Sequence, residues 1–559
     1  MTITRVSVDS AGNQAIGRSF FPSISANGRF VAFTSNASNL VPGDTNNNFD
    51  VFVRDLLTST TTGVSVDSAG NQGNGRSDFS SISADGRFVA FSSGASNLVP
   101  GDTNSSFDLF VRDLLTNTTT RVSVDSAGNQ GNSGSGASSI SADGRFVAFE
   151  SNASNLVQGD TNNNNDIFVR DLLTNTTTRV SVSSTGNQGN GLSYGPSISA
   201  DGRFVAFFSQ ASNLVSGDSS INDIFVRDLL TNTTTRVSVS STGNSGNSDS
   251  RNPFISADGR FVAFQSLATN LVPNSNTNAH IFVRDTLTNT TTRVSADSAG
   301  NQGNGFSYAP SISPDGRFAA FESLATNLVP GDTNNRQDIF VRDLSTNTTT
   351  RVSVDSVGNQ GNQDSEDASI SADGRRVAFS SDAFNLVPGD TNNSEDIFVA
   401  DLTTTPGVIN TPSNNINGTP GNDNLTGTPS SDNISGLDGD DTIAGRQGND
   451  ILNGGGGSDN LSGGKGFDTL NGGLGNDILV GGAGNDVFVL GAGLGVDTIS
   501  DFTNSQDTFQ LINGLTFGQL SISPETNGTL IRLASSGEVL ASLTGVAPNL
   551  IGSEDFISG

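Results

Sequence analysis

The sequence predicts an all-β protein made of two repetitive parts and a small C-terminal part, and three observations support this. Glycine supplies 66 of the 559 residues and charged residues only 15%, which favours turns and short strands over long helices. An eleven-residue phrase recurs seven times, and near the C-terminal end aspartate returns every nine residues. The 35 phenylalanines stand at periodic places, which argues against a disordered polar chain.

Composition excludes several classes of partner and chemistry. A net charge of -29 disfavours nucleic acid, because binding to a phosphate backbone needs a basic surface, and it favours cations. The chain has no cysteine, so disulfides and thiol catalysis are excluded. No apolar run approaches the length of a transmembrane segment. No basic-then-apolar signal peptide precedes the first predicted strand, so export is expected to use another signal.

The first repetitive part covers residues 1–402. Its phrase is "SISADGRFVAF", and the isoleucine of each copy follows the last by 57 or 58 residues: Ile24, Ile82, Ile140, Ile198, Ile255, Ile312 and Ile370. Each unit is predicted to hold four short strands, "SIS", "RFVAF", "DIFVRDL" and "TTRVSV", joined by polar turns such as "ADG". Four-stranded units arranged in a ring predict a seven-bladed β-propeller. A linear solenoid is the alternative, but it would need capping repeats.

The N-terminal strand is predicted to close this ring. The seventh unit ends at "DIFVADL", residues 396–402, and lacks its "TTRVSV", while the chain begins with "TITRVSV". Pairing the two would remove the exposed sheet edges. The repeats resemble the TolB-like propeller family, whose blades carry "SPDGRxIAF"-type hairpins, most clearly in "SISPDGRFAAF" at residues 311–321. This resemblance implies the fold, and not a function, because propellers host many functions.

Two long loops of each blade are predicted to share one face. They are "SAGNQGNGRSDF" between blades and "SNLVPGDTNNN" within them, and we call their side the long-loop face. It is the predicted binding face for an extracellular protein or glycan. In the second loop Asp44, Asn46, Asn48 and Asp50 alternate, as oxygen ligands of Ca²⁺ do. The glycine of an EF-type loop is absent, so Asx-turns are the favoured interpretation.

A Pro/Thr/Asn-rich linker is predicted at residues 403–417, and a new repeat follows it. Its aspartates are Asp423, Asp432, Asp441, Asp450, Asp459, Asp468, Asp477 and Asp486. A glycine lies five residues before each aspartate, and another lies two residues before all but one, where Ser430 stands. An apolar residue follows each aspartate by two. Two such units make one coil of a parallel β-roll, predicted for residues 418–502.

This spacing predicts calcium sites. The aspartate carboxylates, with carbonyls that the glycines bring inward, supply the hard oxygens that Ca²⁺ prefers. Without the ion the stacked carboxylates repel and the thin core cannot offset chain entropy, so folding is predicted to require calcium. A flexible linker is the alternative, which the regular spacing disfavours. The candidate ligand residues are Asp423, Asp432, Gly439, Asp441, Gly448, Asp450, Gly457, Asp459, Gly466, Asp468, Gly475, Asp477, Gly484 and Asp486.

The second repeat resembles the RTX (repeats-in-toxin) nonapeptide "GGxGxDxUx". "GGLGNDILV" at residues 472–480 and "GGAGNDVFV" at residues 481–489 match it fully. In earlier units Thr419, Thr428, Leu437 and Arg446 stand where the second glycine belongs. In that family each ion sits between turns two repeats apart, so eight repeats allow up to six sites.

The end of the chain also fits this resemblance. "GLGVDTISDF" at residues 493–502 resembles the segment that ends an RTX array, and residues 503–559 are predicted to form a small β cap. The resemblance implies an uncleaved C-terminal signal, type I secretion from a Gram-negative bacterium, and folding on calcium outside the cell. The favoured function is therefore a secreted calcium-binding protein whose propeller acts as a binding module.

Residues suited to catalysis are few. His280 is the only histidine and is predicted to be a surface substitution on a degenerate loop. Tyr194 and Tyr308, the only tyrosines, fall at matching places in blades four and six, which indicates repeat structure.

Carboxylates leave one alternative open, a secreted enzyme acting on polysaccharide, since a glycosidase needs only two acids. Glu150 and Glu322 share one position in blades three and six, and Glu366 is predicted in an inter-blade loop. Solvated loop acids are the favoured interpretation of all three. A cytolysin ranks last, because the chain lacks a pore-forming segment.

Overall fold

A computed structural model describes residues 1–402, 414–428, 432–484, 486–504, 506–512, 514–552 and 555–558. The chain divides into two units, Met1–Val408 and Ile409–Gly559. Most of the predicted linker, residues 403–413, lies outside the described residues. The described part contains no helix long and apolar enough to cross a membrane.

The first unit consists of seven four-stranded antiparallel sheets, one for each predicted blade. Blade one contains β2 (Ser19–Ile24), β3 (Phe30–Ser35), β4 (Asp50–Asp55) and β5 (Thr60–Gly63). The strands of blades two to four are β6 (Ser77–Ile82), β7 (Phe88–Ser93), β8 (Asp108–Asp113), β9 (Thr118–Arg121), β10 (Ser135–Ile140), β11 (Phe146–Ser151), β12 (Asp166–Asp171), β13 (Thr176–Arg179), β14 (Ser193–Ile198), β15 (Phe204–Ser209), β16 (Asp223–Asp228) and β17 (Thr233–Arg236). Those of blades five and six are β18 (Ser250–Ile255), β19 (Phe261–Ser266), β20 (His280–Asp285), β21 (Thr290–Arg293), β22 (Ser307–Ile312), β23 (Phe318–Ser323), β24 (Asp338–Asp343) and β25 (Thr348–Arg351).

The predicted ring closure is confirmed in blade seven. It contains β26 (Ser365–Ile370), β27 (Arg376–Ser381) and β28 (Asp396–Asp401), and its fourth strand is β1 (Thr2–Arg5) from the start of the chain. β1 and β28 are antiparallel, with Thr2 opposite Asp401. The ring is therefore closed by strand pairing between the two ends of the propeller.

The hydrophobic core lies between neighbouring blades. Each blade buries a pair of phenylalanines, such as Phe33 and Phe52, whose ring centroids are 5.9 Å apart. The cluster around this pair also includes Ile397 and Val399 of blade seven, so the closing seam is packed like the others. These strands are apolar on both faces because each sheet is covered by a neighbour on either side.

Two strand boundaries differ from the sequence prediction. The first strand of each blade begins earlier than "SIS", and in blade one it is irregular between Phe20 and Ser23. The fourth strand ends before "VSV", because the chain then turns into an isolated bridge, as between Val66 and Gln72.

The first strands line a central channel, and hydrogen bonds link the blades around it. The first residue of each short turn donates its backbone N–H to the same carbonyl in the next blade, as Ala26 does to Ala84 at 3.1 Å and Ala372 to Ala26 at 2.9 Å. In blade six this residue is Pro314, which has no N–H to donate. The channel encloses a cavity of about 460 Å³.

The second unit is a β-roll of two sheets, in which the strands of the repeats pair in parallel with the strand one coil later. Three C-terminal strands, within residues 520–544, pair antiparallel with one another. One sheet contains β29 (Asn414–Asn417), β31 (Asp432–Asp438), β33 (Ile451–Gly456), β35 (Thr469–Leu474), β37 (Val487–Leu490), β39 (Thr508–Leu511) and β43 (Phe556–Ser558). The other contains β30 (Asn424–Thr426), β32 (Thr442–Gln447), β34 (Asn460–Lys465), β36 (Ile478–Ala483), β38 (Asp497–Ile499), β42 (Val539–Thr544), β41 (Gly528–Leu533) and β40 (Leu520–Glu525). β29 lies within the stretch predicted as linker and pairs with β31.

A single row of apolar side chains fills the roll. One residue points inward in each nonapeptide. Leu425 in the first is partly buried, and seven are almost fully buried: Ile434, Ile443, Leu452, Leu461, Leu470, Leu479 and Phe488. The C-terminal segment extends both sheets, because β42 pairs with β38 and β43 pairs with β39. Short 3₁₀ helices at Phe517–Gln519 and Pro548–Leu550 join its strands. The predicted cap is thus a continuation of the roll.

Candidate metal centres

The repeated aspartates form two ladders along the roll. The backbone N–H of each of the first six donates to Oδ1 of the aspartate one coil, or 18 residues, later, as from Asp450 to Asp468 at 2.7 Å and from Asp441 to Asp459 at 2.8 Å. Each repeat thereby fixes one oxygen of the next carboxylate. The fold is what places all eight aspartates in register.

The second oxygen, Oδ2, distinguishes six of these aspartates from the other two. In six it is buried and accepts no hydrogen bond from any residue that the structure describes: Asp441, Asp450, Asp459, Asp468, Asp477 and Asp486. A buried carboxylate oxygen without a partner is strongly unfavourable unless a cation neutralises it. These six carboxylates therefore fit a bound metal ion.

Glycines form the other wall of each site. A Cβ at Gly454 would collide with Oδ2 of Asp459 and lie 2.5 Å from the carbonyl oxygen of Gly472. A side chain there would fill the space that the two oxygens share, and equivalent pairs of oxygens surround Gly436 and Gly445. At Gly463 and Gly472 a Cβ would collide with Oδ2 of Asp468 and Asp477. No three His, Cys, Asp or Glu side chains converge within the described residues, so a complete ligand set would include backbone carbonyls. A carboxylate with carbonyls is the oxygen environment that suits Ca²⁺.

The glycine two residues before each aspartate shapes the turn. Its φ lies in the left-handed region at Gly439 (124°), Gly448 (117°), Gly457 (135°), Gly466 (131°), Gly475 (144°) and Gly484 (147°). Residues with a Cβ are strained there. Leu437 and Arg446, which replace the second glycine of the motif, also adopt positive φ, 83° and 84°, so those two turns store strain.

Asp423 and Asp432 differ from the other six predicted ligands. Oδ2 of Asp423 accepts the backbone N–H of Thr419 at 2.6 Å, and Oδ2 of Asp432 accepts that of Thr428. The protein itself satisfies these carboxylates, so they are the weaker candidates. The threonines that replace the second glycine are the sequence signal of this difference.

Sequence reasoning missed two aspartates that continue the ladders. Oδ1 of Asp497 accepts the N–H of Asp477 at 3.3 Å, and Oδ1 of Asp507 accepts the N–H of Asp486 at 2.9 Å. Both break the nine-residue spacing, which hid them. Gly495, with φ of 127°, stands two residues before Asp497 and was the available signal.

From Asp450 onward, burial raises the pKa of the ladder carboxyls, and in most of them the charge of a neighbouring aspartate adds to the rise. The pKa of Asp468 rises to about 8, and those of Asp450 and Asp486 rise to about 7. At neutral pH the stacked carboxylates cannot all ionise at their ordinary cost. A cation bound between them removes that penalty.

The propeller loops treat paired aspartates differently. Oδ1 of Asn46 accepts the backbone N–H of Asn48 at 2.7 Å, which is the geometry of an Asx-turn. In blade two Arg121 lies 3.4 Å from both Asp102 and Asp108, with all three side chains nearly buried. Four other blades place an arginine against the same pair of acids: Arg179, Arg236, Arg351 and Arg5. These loops carry their own cation.

The prediction for His280 is wrong. The side chain is 1% exposed and begins β20, where other blades have an aspartate. Its ring nitrogens bond to Ser295 at 3.0 Å and Asn276 at 2.8 Å. Burial, and then the charge of Arg293, lower its pKa to about 4, so it is a neutral structural residue.

The interpretation of the three glutamates as solvated loop acids is also corrected. Glu150 and Glu322 lie in second strands, and each accepts a backbone N–H from the next blade, from Gly195 and Asp367, at 3.0 Å. Glu322 is 8% exposed, and burial raises its pKa to about 8. Glu366 is exposed, but it lies in β26 and not in a loop.

Comparisons with known proteins agree with the roll geometry. Residues 417–452 and 453–488 match the model of the RTX calcium-binding nonapeptide repeat. No curated protein matches the chain.

Several solved structures resemble the chain at low identity. TolB from Acinetobacter baumannii is 18% identical, with a TM-score of 0.34, covering 60% of this chain and 63% of that one. An oligogalacturonate lyase from Vibrio parahaemolyticus is 15% identical, with a TM-score of 0.44, covering 71% and 93%. A putative TolB from Agrobacterium tumefaciens is 14% identical, with a TM-score of 0.35, covering 69% and 98%.

The family match and the ladder geometry fall on the same residues. Orphaned carboxylate oxygens, glycine-lined cages and the nine-residue register all lie within or beside residues 417–488. The chain therefore carries RTX nonapeptide repeats, which bind calcium, together with a seven-bladed β-propeller.

Proposed function

We propose that this is a secreted calcium-binding protein whose roll folds on Ca²⁺ outside the cell and whose propeller binds a partner on its long-loop face. The observation that carries the calcium part is the set of six buried Oδ2 atoms without partners. RTX repeats are typical of secreted proteins, which supports export by the route that the sequence predicts.

The chain's own residues prepare the site. Each ladder hydrogen bond orients a carboxylate, and each glycine lets a carbonyl oxygen approach it. When bound, Ca²⁺ would supply the positive charge that these oxygens lack. In low calcium the same carboxylates repel one another and oppose folding. The chain would therefore be exported unfolded and would fold outside the cell, where calcium is available.

The binding role of the propeller is supported by where its blades differ. At seven positions, which we call the blade-specific positions, the side chain changes in size or charge from blade to blade. In blade one they are Arg18, Phe20, Phe21, Pro22, Thr34, Asn36 and Phe49. They surround the start of the first strand, the end of the second and the start of the third. Positions shared by all blades maintain the fold, whereas differences concentrated in one region favour recognition.

Counting bound ions on the full chain tests the calcium part. Equilibrium dialysis with calcium is expected to give up to six ions, with magnesium as the control. Circular dichroism in the same titration is expected to gain β signal with calcium only. Binding of no ions, or an equal response to magnesium, would contradict the proposal.

Export is tested separately in a Gram-negative host that carries a type I secretion apparatus. The full chain is expected in the medium, and a chain ending at residue 502 is expected to stay inside. Equal export of both would remove the proposed role of residues 503–559.

Hydrolysis or elimination on polysaccharide remains a second candidate because of one carboxyl pair. Glu322 and Asp367 meet at a blade seam, and burial raises their pKa to about 8 and about 7. Glu150 belongs to a seam three blades away, so it cannot share a glycosidic bond with Glu322. Polysaccharide cleavage by the full chain that is lost in Glu322→Gln would favour this candidate.

A further inference from the structure

A cavity of about 440 Å³ opens between blades three, four and five. Its lining comes from five strands or their ends: Glu150, Tyr194, Gly195, Phe208, Gln210, Asn222 and Arg251. Every one of these residues occupies a blade-specific position. The volume lies within the roughly 300–1,000 Å³ of small-molecule sites. Seven blade-specific residues, contributed by three blades, thus line one open depression.

Two aromatic rings form the apolar wall of this cavity. The centroids of Tyr194 and Phe208 are 5.6 Å apart, with the ring planes tilted by 32°. A Cβ at Gly195 would lie 2.9 Å from the Phe208 ring, and its φ is 58°. Glycine therefore lets the ring lie against the backbone. In blade six the equivalent residues are Ala309 and Glu322, so this wall is particular to blade four.

Hydrogen-bond donors and acceptors complete the lining of the cavity. Oε2 of Glu150 is held by the N–H of Gly195 at 3.0 Å, and a Cβ at Gly136 would lie 2.9 Å from Oε1, so glycine leaves room for the carboxylate. Arg251 bonds Asp249 at 2.9 Å, and Asp249 also accepts the N–H of Asn222 at 3.1 Å. Gln210 is exposed.

We infer that this cavity binds a neutral saccharide. A sugar ring presents a face of C–H groups, which packs on aromatic rings, and a rim of hydroxyls that both donate and accept hydrogen bonds. The carboxylate accepts, the guanidinium donates, and the carboxamides of Gln210 and Asn222 do both. One acid and one base line the cavity, and Asp249 pairs with that base, so the cavity has no excess positive charge to select an anion. This inference deepens the proposed binding role of the propeller and rests on it.

The chain provides its own optical probe, since it has no tryptophan and only two tyrosines. Tyr308→Phe leaves Tyr194 as the sole emitter, and Tyr194→Phe leaves Tyr308 as the matched control at the same place in blade six. Both full-length proteins, in saturating calcium, are titrated with cellotetraose, maltotetraose, laminaritetraose and mannotetraose. Emission of Tyr194 is expected to change saturably with at least one tetrasaccharide, while emission of Tyr308 stays constant.

Two further variants locate the contact. Phe208→Ala, made in the Tyr308→Phe background, is expected to weaken binding about tenfold, the size typical of a lost stacking contact. Gln210→Ala alters an exposed side chain and is expected to weaken binding about threefold with unchanged circular dichroism. It therefore reports on binding even where Phe208→Ala unfolds the blade.

Polylysine, a cationic polymer, is titrated as a control for binding by charge. Three results would overturn the inference: no emission change with any tetrasaccharide, equal changes from both tyrosines, or a response to polylysine and to no tetrasaccharide. Calcium binding measured on the same samples separates this failure from failure of the proposed function. If the propeller binds no sugar while the roll binds calcium, only the saccharide site is contradicted, and the proposed calcium binding stands.

Discussion

The propeller and the roll both bury pairs of aspartates, but they neutralise them in different ways. In five blades an arginine of the chain lies against the pair, as Arg121 does against Asp102 and Asp108. In the roll six carboxylate oxygens have no partner, and its repeats offer only Arg446 and Lys465 as bases. The propeller therefore supplies its own cation, whereas the roll must take one from solution. The propeller should be stable with or without calcium, and the roll only where calcium is present.

Removing the internal cation of one blade should have the largest effect. Arg121→Gly leaves Asp102 and Asp108 buried without their guanidinium, and breaking a buried ion pair costs about 3–5 kcal/mol. Urea unfolding of the propeller should shift accordingly. Arg336→Gly is the control, because that arginine is 42% exposed and its Asp364 partner 41%. Equal effects of the two variants would break the comparison.

Glu322 should make propeller stability depend on pH. Burial, then the charge of Asp367, raise its pKa to about 8 in the fold from an ordinary 4.5. The folded state favours the protonated carboxyl. Its contribution to the free energy of unfolding is therefore full below about pH 4.5 and is lost as pH rises through 8. At about 1.4 kcal/mol per unit, and with a smaller slope near each pKa, the loss between pH 5 and 8 is about 3.5 kcal/mol.

Glu322→Gln should flatten that dependence. The amide oxygen can still accept the N–H of Asp367, and the group no longer ionises. Glu366→Gln is the comparison variant: the charge of this exposed neighbour is a smaller cause of the raised Glu322 pKa, so it should reduce the slope much less. A wild-type slope in Glu322→Gln would show that another group is responsible.

The two kinds of roll aspartate should respond differently to the same substitution. Asp468→Asn removes a charge from an Oδ2 that has no partner, so calcium affinity should fall about tenfold and one ion should be lost. Asp423→Asn alters a carboxylate whose Oδ2 already accepts the N–H of Thr419, so the change should be much smaller. Isothermal titration of both variants measures this difference.

Blade one offers the smallest test, because it lacks the arginine. Gly63 stands there, while Asp44 and Asp50 are held by the amide of Gln72. A Cβ at Gly63 would touch only Val41, at 3.8 Å, so an arginine has room. Gly63→Arg should therefore stabilise the propeller by about 1 kcal/mol. Gly63→Ala is the control, which separates the gain in backbone entropy from the gain in charge.

Repetition determined how much could be predicted from the sequence. Seven closely similar sequence repeats predicted the propeller and its closure by the N-terminal strand. Eight aspartates in register predicted the calcium-binding roll. The partners of individual groups could not be predicted in this way. His280 was misplaced because its burial depends on Ser295 and Asn276, which lie on other segments.

The limits of pattern reasoning are clearest where spacing changes. Asp497 and Asp507 continue the ladders 20 and 21 residues after their partners, so a nine-residue pattern could not find them. The pairing of Asp102 with Arg121 depends on the packing of one loop against the fourth strand. The cavity around Tyr194 needs three blades to meet. Each of these is a tertiary contact between side chains that the repeat itself does not specify.

Hydrogen–deuterium exchange of the full chain, with and without calcium, tests the central claim most directly. Peptides from residues 1–402 should be equally protected in calcium and in a chelator, because the propeller holds its own cations. Peptides from residues 432–484 should be protected only in calcium. Protection of the roll in the chelator, or loss of protection in the propeller, would contradict the account.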